Sequence, residues 1–148
     1  MDKEKQLQLD RRYLMMAQIW ADNSYAKRLK VGALIVKDKS IIADGYNGTP
    51  EGFPNICEGP DGKSLPYVLH AEANAITKLA KNGGRSQGAT LYVTAGPCEQ
   101  CAKLIIQSGI TRVVYNQDYK KPNLGLDLLR RVGIEVVKID YILETLKQ

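Results

Sequence analysis

The chain has 148 residues, 44% of them hydrophobic and 25% charged, enough for a buried core in a single domain covering 1–148. Three cysteines are too few for a disulfide scaffold, and no run approaches about 18 consecutive apolar residues, so neither a secreted disulfide protein nor a membrane span is expected and the cytoplasm fits best. The net charge of +5 comes from scattered pairs such as Arg11-Arg12, Lys120-Lys121 and Arg130-Arg131, which argues against a stable nucleic-acid complex and leaves positive potential for a small anionic ligand.

In chain order, the first sixteen residues are charged and helical in period, without the apolar run of a signal peptide. Leu9, Tyr13, Met16, Ala17 and Trp20 form one apolar stripe, predicting a helix that packs on a sheet and ends at Asp22-Asn23-Ser24. Residues 31–36 and 41–47 read as two strands joined by the turn Lys37-Asp38-Lys39-Ser40, hence an antiparallel hairpin. From 48 to 69 periodicity disappears under repeated glycine and proline; a loop this long, leading straight into His70, is expected to form a lid or rim of an active site.

Beyond the loop the pattern alternates: helix 70–82, strand 89–94, helix 98–108, strand 111–115, helix 123–132, strand 134–138, with glycine at each helix end. Such alternation with short connections predicts parallel strands joined by right-handed crossovers. Together with the hairpin it implies an α/β fold, a three-layer α/β/α sandwich around a mixed five-stranded sheet. A short amphipathic helix is expected from Asp140 to Lys147.

Two of these predicted helices open with chemistry. HAEANAI begins at His70 and PCEQCAKLII begins with Pro97, Cys98 and Cys101. A Cys-x-x-Cys pair brings two thiolates to one side of a helix's first turn, and a histidine opening a second helix supplies a nitrogen. Three such ligands suit Zn2+ with a fourth position open to water. The helix dipole favours the thiolates, and Glu72, two residues from His70, is placed to carry protons. Cys57 is the remaining cysteine and His70 the single histidine, so a second zinc is not expected. A thioredoxin-like role for the cysteines would not require His70 and Glu72 to open a separate helix.

The spacing H-x-E…P-C-x-x-C is the signature of zinc-dependent deaminases acting on nucleobases. The chain resembles the deoxycytidylate (dCMP) deaminases of the cytidine deaminase superfamily over most of its length, through VGALIVKD, DGYNGTPEGF, PYVLHAEANAI, GATLYVTAGPCEQCAKLIIQSGI, RVVYNQDY and LLRRVGIEV. The resemblance implies zinc on His70, Cys98 and Cys101, Glu72 as proton shuttle, and hydrolysis of dCMP to a uracil nucleotide and ammonia. It further implies that the Ala71 N–H meets the base carbonyl, that Asn47 binds the sugar, and that Tyr115 and Tyr119 line the nucleotide pocket, with packing within the strand as the equal alternative for Tyr115. Arg28 or Lys30, just before the first strand, are the candidates for the phosphate. Many members carry extra cysteine and histidine ligands for a structural zinc; only Cys57 stands here. A homo-oligomer, from dimer to hexamer, is expected.

Two other readings remain. The same zinc core serves deamination of adenosine in tRNA, against which stand the long 48–69 loop and the lack of a basic block. A non-catalytic zinc-binding module would account for the ligands but not for Glu72, and a structural zinc ordinarily has a fourth protein ligand.

Overall fold

The computed structural model describes residues 2–140; all but Asp140 of the helix expected at 140–147 falls outside them. Four helices and five strands follow in the order α1 (Lys3–Ala21), β1 (Gly32–Lys37), β2 (Ser40–Tyr46), α2 (Ala71–Lys81), β3 (Thr90–Ala95), α3 (Glu99–Gln107), β4 (Arg112–Gln117), α4 (Leu124–Arg131) and β5 (Glu135–Lys138). The strands form one sheet in the order β2-β1-β3-β4-β5. β1 pairs antiparallel with both β2 and β3, whereas β3–β4 and β4–β5 are parallel, which is the mixed five-stranded α/β arrangement expected from the alternation. The hairpin turns through Asp38 and Lys39 with φ of 50° and 63°, the left-handed pair whose twist matches that of the flanking strands.

Strand alternation divides the core in two. On one face Ala33, Ile35, Leu91, Val93, Val113 and Tyr115 meet Ala71, Ala75 and Leu79 of α2, Ala102 and Ile105 of α3, and Leu126 and Leu129 of α4. On the other, Leu34, Val36, Tyr92 and Val114 meet Leu14 and Ala17 of α1. The two crossovers β3-α3-β4 and β4-α4-β5 run in the same direction, and their common right hand puts both helices on one face.

The face that α1 buries differs from the predicted stripe. Asp10, Leu14, Ala17 and Ala21 are buried, while Met16 and Trp20 are exposed. Asp10, only 2% exposed, carries the reason: its carboxylate accepts two hydrogen bonds from Arg112 of β4 (2.8 and 2.7 Å) and one from the Tyr92 hydroxyl (2.7 Å). A charged residue thus occupies a position that an apolar count assigns to solvent.

Chain direction then gathers one edge of the sheet. β1 runs against β3, so the segment entering β1 lies at the same edge as the end of β3, where Cys98 follows, and beside the end of β2, where Asn47 follows. This is the carboxyl edge of the parallel strands, where α/β folds hold their ligands. Small residues bring the helices close there. A Cβ on Gly45 would lie 2.6 Å from the Ala71 carbonyl oxygen, and one on Gly125 would lie 2.7 Å from the Cys98 carbonyl carbon. β2 therefore seats the start of α2, and α4 seats the start of α3.

Candidate metal centre and nucleotide cavity

His70 and Cys98 are the N-cap residues of α2 and α3, both with extended backbone (ψ 158° and 174°), and neither side chain caps its own helix. An N-cap side chain usually turns back to a backbone N–H of the first turn. These two turn instead toward each other. His70 Nδ1 lies 3.4 Å from Cys98 Sγ and 3.3 Å from Cys101 Sγ, and all three ligand atoms fall within 4.8 Å of one another. Tetrahedral zinc with bonds of about 2.0–2.1 Å to nitrogen and about 2.3 Å to sulfur sets N–S separations of about 3.5 Å, so the donor set fits zinc in both chemistry and spacing.

The electrostatics agree with shared charge at this point. The Cys101 thiol, hydrogen-bonded to Cys98, is the main influence lowering Cys98 to about 3; His70 adds to it against the opposing effect of burial. The same contact, with burial second, raises Cys101. His70 is raised by its hydrogen bond to Cys98, with burial acting against it. Glu72, in the first turn of α2 and only 4% exposed, is pushed up to about 7, chiefly by burial. A carboxyl so placed exchanges its proton near neutrality.

Above this centre opens a cavity of about 330 Å³, within the range of small-molecule sites. His70, Ala71, Glu72 and Cys98 form its floor, and Arg28, Asn47 and Tyr119 stand in its walls. Ala71 is the first residue of α2, so its N–H has no partner within the helix. Tyr119, also in the lining, is 49% exposed. Asn47 is partly occupied by the protein itself: its Oδ1 accepts from the Val31 N–H (2.9 Å), and its Nδ2 donates to the Leu29 carbonyl (2.8 Å).

Lys30 and Tyr115 are placed elsewhere. Lys30 is exposed and outside the cavity lining. Tyr115, 4% exposed, follows the parity of β4 onto the α2–α4 face, where its ring approaches Gly96 and its hydroxyl faces Asp118 at 3.5 Å. Of the two expectations for Tyr115, this placement matches packing within the strand, behind Gly96 of the cavity lining.

The 48–69 loop supplies wall residues that single-residue reasoning passed over, Glu58, Ser64 and Val68, together with Cys57, which the sequence left without a role. Its base is closed by reciprocal Gly48–Leu69 backbone hydrogen bonds of 3.0 and 2.8 Å. The position of the loop immediately before His70 was the one signal in the sequence; which of its side chains face inward depends on its folding back over the segment before β1.

Metal analysis of the purified protein is expected to give one zinc per chain, and Cys57→Ser is expected to leave that content unchanged. Cys57 is a buried wall residue and stands apart from the group formed by His70, Cys98 and Cys101. Two zincs per chain, or metal loss in Cys57→Ser, would contradict this assignment.

Residues 7–117 match the sequence family described as the cytidine and deoxycytidylate deaminase zinc-binding region. The chain is 38% identical over 142 residues to ComE operon protein 2 of Bacillus subtilis, covering 91% of this chain and 74% of that one. It is 36% identical over 168 residues to the deoxycytidylate deaminase of Enterobacteria phage T4, covering 85% and 87%. Among solved structures, the dCMP deaminase of cyanophage S-TIM5 in complex with dCMP and dUMP superposes with a TM-score of 0.86 at 42% identity, covering 94% of this chain and 99% of that one. With the match spanning both halves of the metal centre and the strands that carry them, the chain belongs to the cytidine and deoxycytidylate deaminase family.

Proposed function

We propose that this chain hydrolyses dCMP to dUMP and ammonia, using zinc held by His70, Cys98 and Cys101. The observation that carries this reading is the convergence of those three ligand atoms beside the buried Glu72 carboxyl on the floor of a nucleotide-sized cavity. A relative with 42% identity whose structure holds dCMP and dUMP supports the choice of substrate. Zinc, when bound, supplies a Lewis acid that lowers the pKa of a coordinated water to about 7.

Glu72 receives the proton that the attacking water gives up and delivers it to N3 of the base. A second proton transfer to the amine at C4 lets ammonia leave, so that a C–N bond is exchanged for a C–O bond and no oxidant or reductant is needed. The Ala71 N–H, unpartnered at the helix start, orients the base carbonyl, and Asn47 faces the sugar with the amide hydrogen not given to Leu29. Arg28 meets the phosphate, and Tyr119 closes the mouth. The same reading makes 1–148 one deaminase-type domain. It works in the cytoplasm, a reading supported by its free cysteines, and as a homo-oligomer, supported by exposed Met16, Ile19 and Trp20 along α1. No helix among the described residues is long and apolar enough to cross a membrane.

The test is a substrate panel with the zinc-loaded protein. A dianionic phosphate gaining one or two charge-assisted hydrogen bonds, each worth roughly 1.5–3 kcal/mol, favours dCMP over deoxycytidine in kcat/KM by more than about tenfold. Equal kcat/KM for the two removes the phosphate contact from the reading. Inosine formation in a tRNA anticodon substrate without dCMP turnover overturns the reading as a whole.

A further inference from the structure

The segment that enters β1 and carries Arg28 has an unusual support. Between Tyr25 and Lys30 the main chain makes no hydrogen bond to another main-chain group among the described residues. It hangs on three side chains. Ser24 Oγ accepts from the Ala26 N–H (3.1 Å) and donates to the Asn47 carbonyl (2.8 Å). The Asn47 amide holds Leu29 and Val31, as described above. The third is Glu58, thirty residues away in the long loop: its two carboxylate oxygens accept from the Lys27 N–H at 3.2 and 3.0 Å, and one also accepts from the Arg28 N–H at 3.3 Å.

Glu58 is itself held. It sits in a small antiparallel turn closed by Leu65 N–H to Cys57 O (2.8 Å) and Gly59 N–H to Lys63 O (2.9 Å). Both sides of this tie, Arg28 and Glu58, line the cavity. A carboxylate facing a nearby arginine would ordinarily pair with the guanidinium. Here its oxygens are engaged by main-chain donors, and Arg28 enters no ion pair among the described residues. The arrangement fixes the backbone of Arg28 while leaving its charged head available to a ligand.

We propose that Glu58 is a positioning residue for the anionic end of the substrate. By clamping residues 27 and 28 it presets Arg28 at the cavity wall, and it thereby determines the preference for a nucleoside monophosphate over the free nucleoside. The inference rests on the dCMP reading given above. Its physical basis is preorganisation: a lip without a hydrogen-bonded ladder must be ordered before its guanidinium meets phosphate, and the clamp removes that cost from the binding step. The chemistry at C4 lies at the other end of the substrate and does not depend on it.

Glu58→Gln tests this directly. It preserves side-chain volume, but one of the two oxygens facing the Lys27 N–H becomes an NH2 group that cannot accept, and the negative charge that strengthens the remaining bonds to Lys27 and Arg28 is lost. The expected result is a loss of about tenfold in kcat/KM for dCMP, carried by KM, with kcat and the kcat/KM for deoxycytidine each within about threefold of wild type. Hydrogen exchange at the Lys27 and Arg28 amides should rise, while zinc content and thermal stability stay near wild type. The clamp acts through Arg28, so Glu58→Gln placed on Arg28→Ala should lower kcat/KM for dCMP by less than about twofold beyond Arg28→Ala alone.

An unchanged preference for dCMP, equal losses on both substrates, or multiplicative losses in the double variant would each overturn the inference while leaving the dCMP reading intact. A wild-type protein that turns over deoxycytidine as well as dCMP would remove the phosphate contact, and this inference with it.

Discussion

Glu72→Gln is expected to retain one zinc per chain and a wild-type unfolding temperature while losing about 10²–10⁴-fold in kcat on dCMP, the range associated with a positioned proton carrier. The substitution keeps the side-chain volume at a site only 4% exposed and replaces none of the three ligands, although the side chain it alters is hydrogen-bonded to Cys101. What disappears is a carboxyl that burial has moved to about 7. A neutral amide carries no ionisation cost in that environment, so stability should hold or rise slightly. On the proposed mechanism the loss belongs in kcat with KM little changed, since Glu72 there carries protons and does not grip the nucleotide. Metal analysis, a thermal melt and steady-state kinetics on the same preparation decide the matter. A zinc-loaded, folded Glu72→Gln protein within tenfold of wild type would remove Glu72 from the chemistry.

The second large effect concerns stability, far from the cavity. Asp10→Ala leaves the buried Tyr92 hydroxyl without its acceptor and the Arg112 guanidinium with Glu135 as its remaining ion-pair partner, so the cost falls at the lower end of the about 3–5 kcal/mol expected when one partner of a buried, hydrogen-bonded ion pair is removed. For a chain of this size that is a fall of about 10 °C in Tm. Acidity should produce the same loss gradually. Burial by itself raises the Asp10 carboxyl, but hydrogen bonds from Arg112, Tyr92 and Gln6 outweigh it and leave the group below its usual value of 3.8. A carboxyl with a lowered folded-state pKa contributes stability that is fully present above 3.8 and is lost as pH falls through the folded value. Asp10→Asn cannot ionise, so it should flatten this acid limb and melt between wild type and Asp10→Ala. Thermal melts from pH 7 down to about 2.5 measure both effects. Wild-type behaviour of Asp10→Ala would show that the Asp10–Arg112 pair contributes nothing to the fold.

The metal centre and the sheet were legible in the sequence because both are written in local patterns. His70, Cys98 and Cys101 stand at fixed offsets from two helix starts, and a helix start fixes backbone direction whatever lies around it. The strands announced themselves by branched runs between glycine-capped helices, and the hand of the crossovers follows from chirality. Element ends moved by one or two residues; His70 and Cys98 became caps instead of first helical residues, which is what frees their side chains for a metal.

Tertiary structure alone decided which face of α1 is buried, because Asp10 goes inside only when Arg112, a hundred residues on, arrives to pair with it. It decided that Tyr115 packs while Tyr119 lines the cavity, since strand parity ends where β4 ends. It also decided that Arg28, and not Lys30, stands in the wall and that Glu58 braces it. Those contacts join stretches about thirty residues apart through a loop with no period of its own, and their geometry comes from long-range closure instead of local preference.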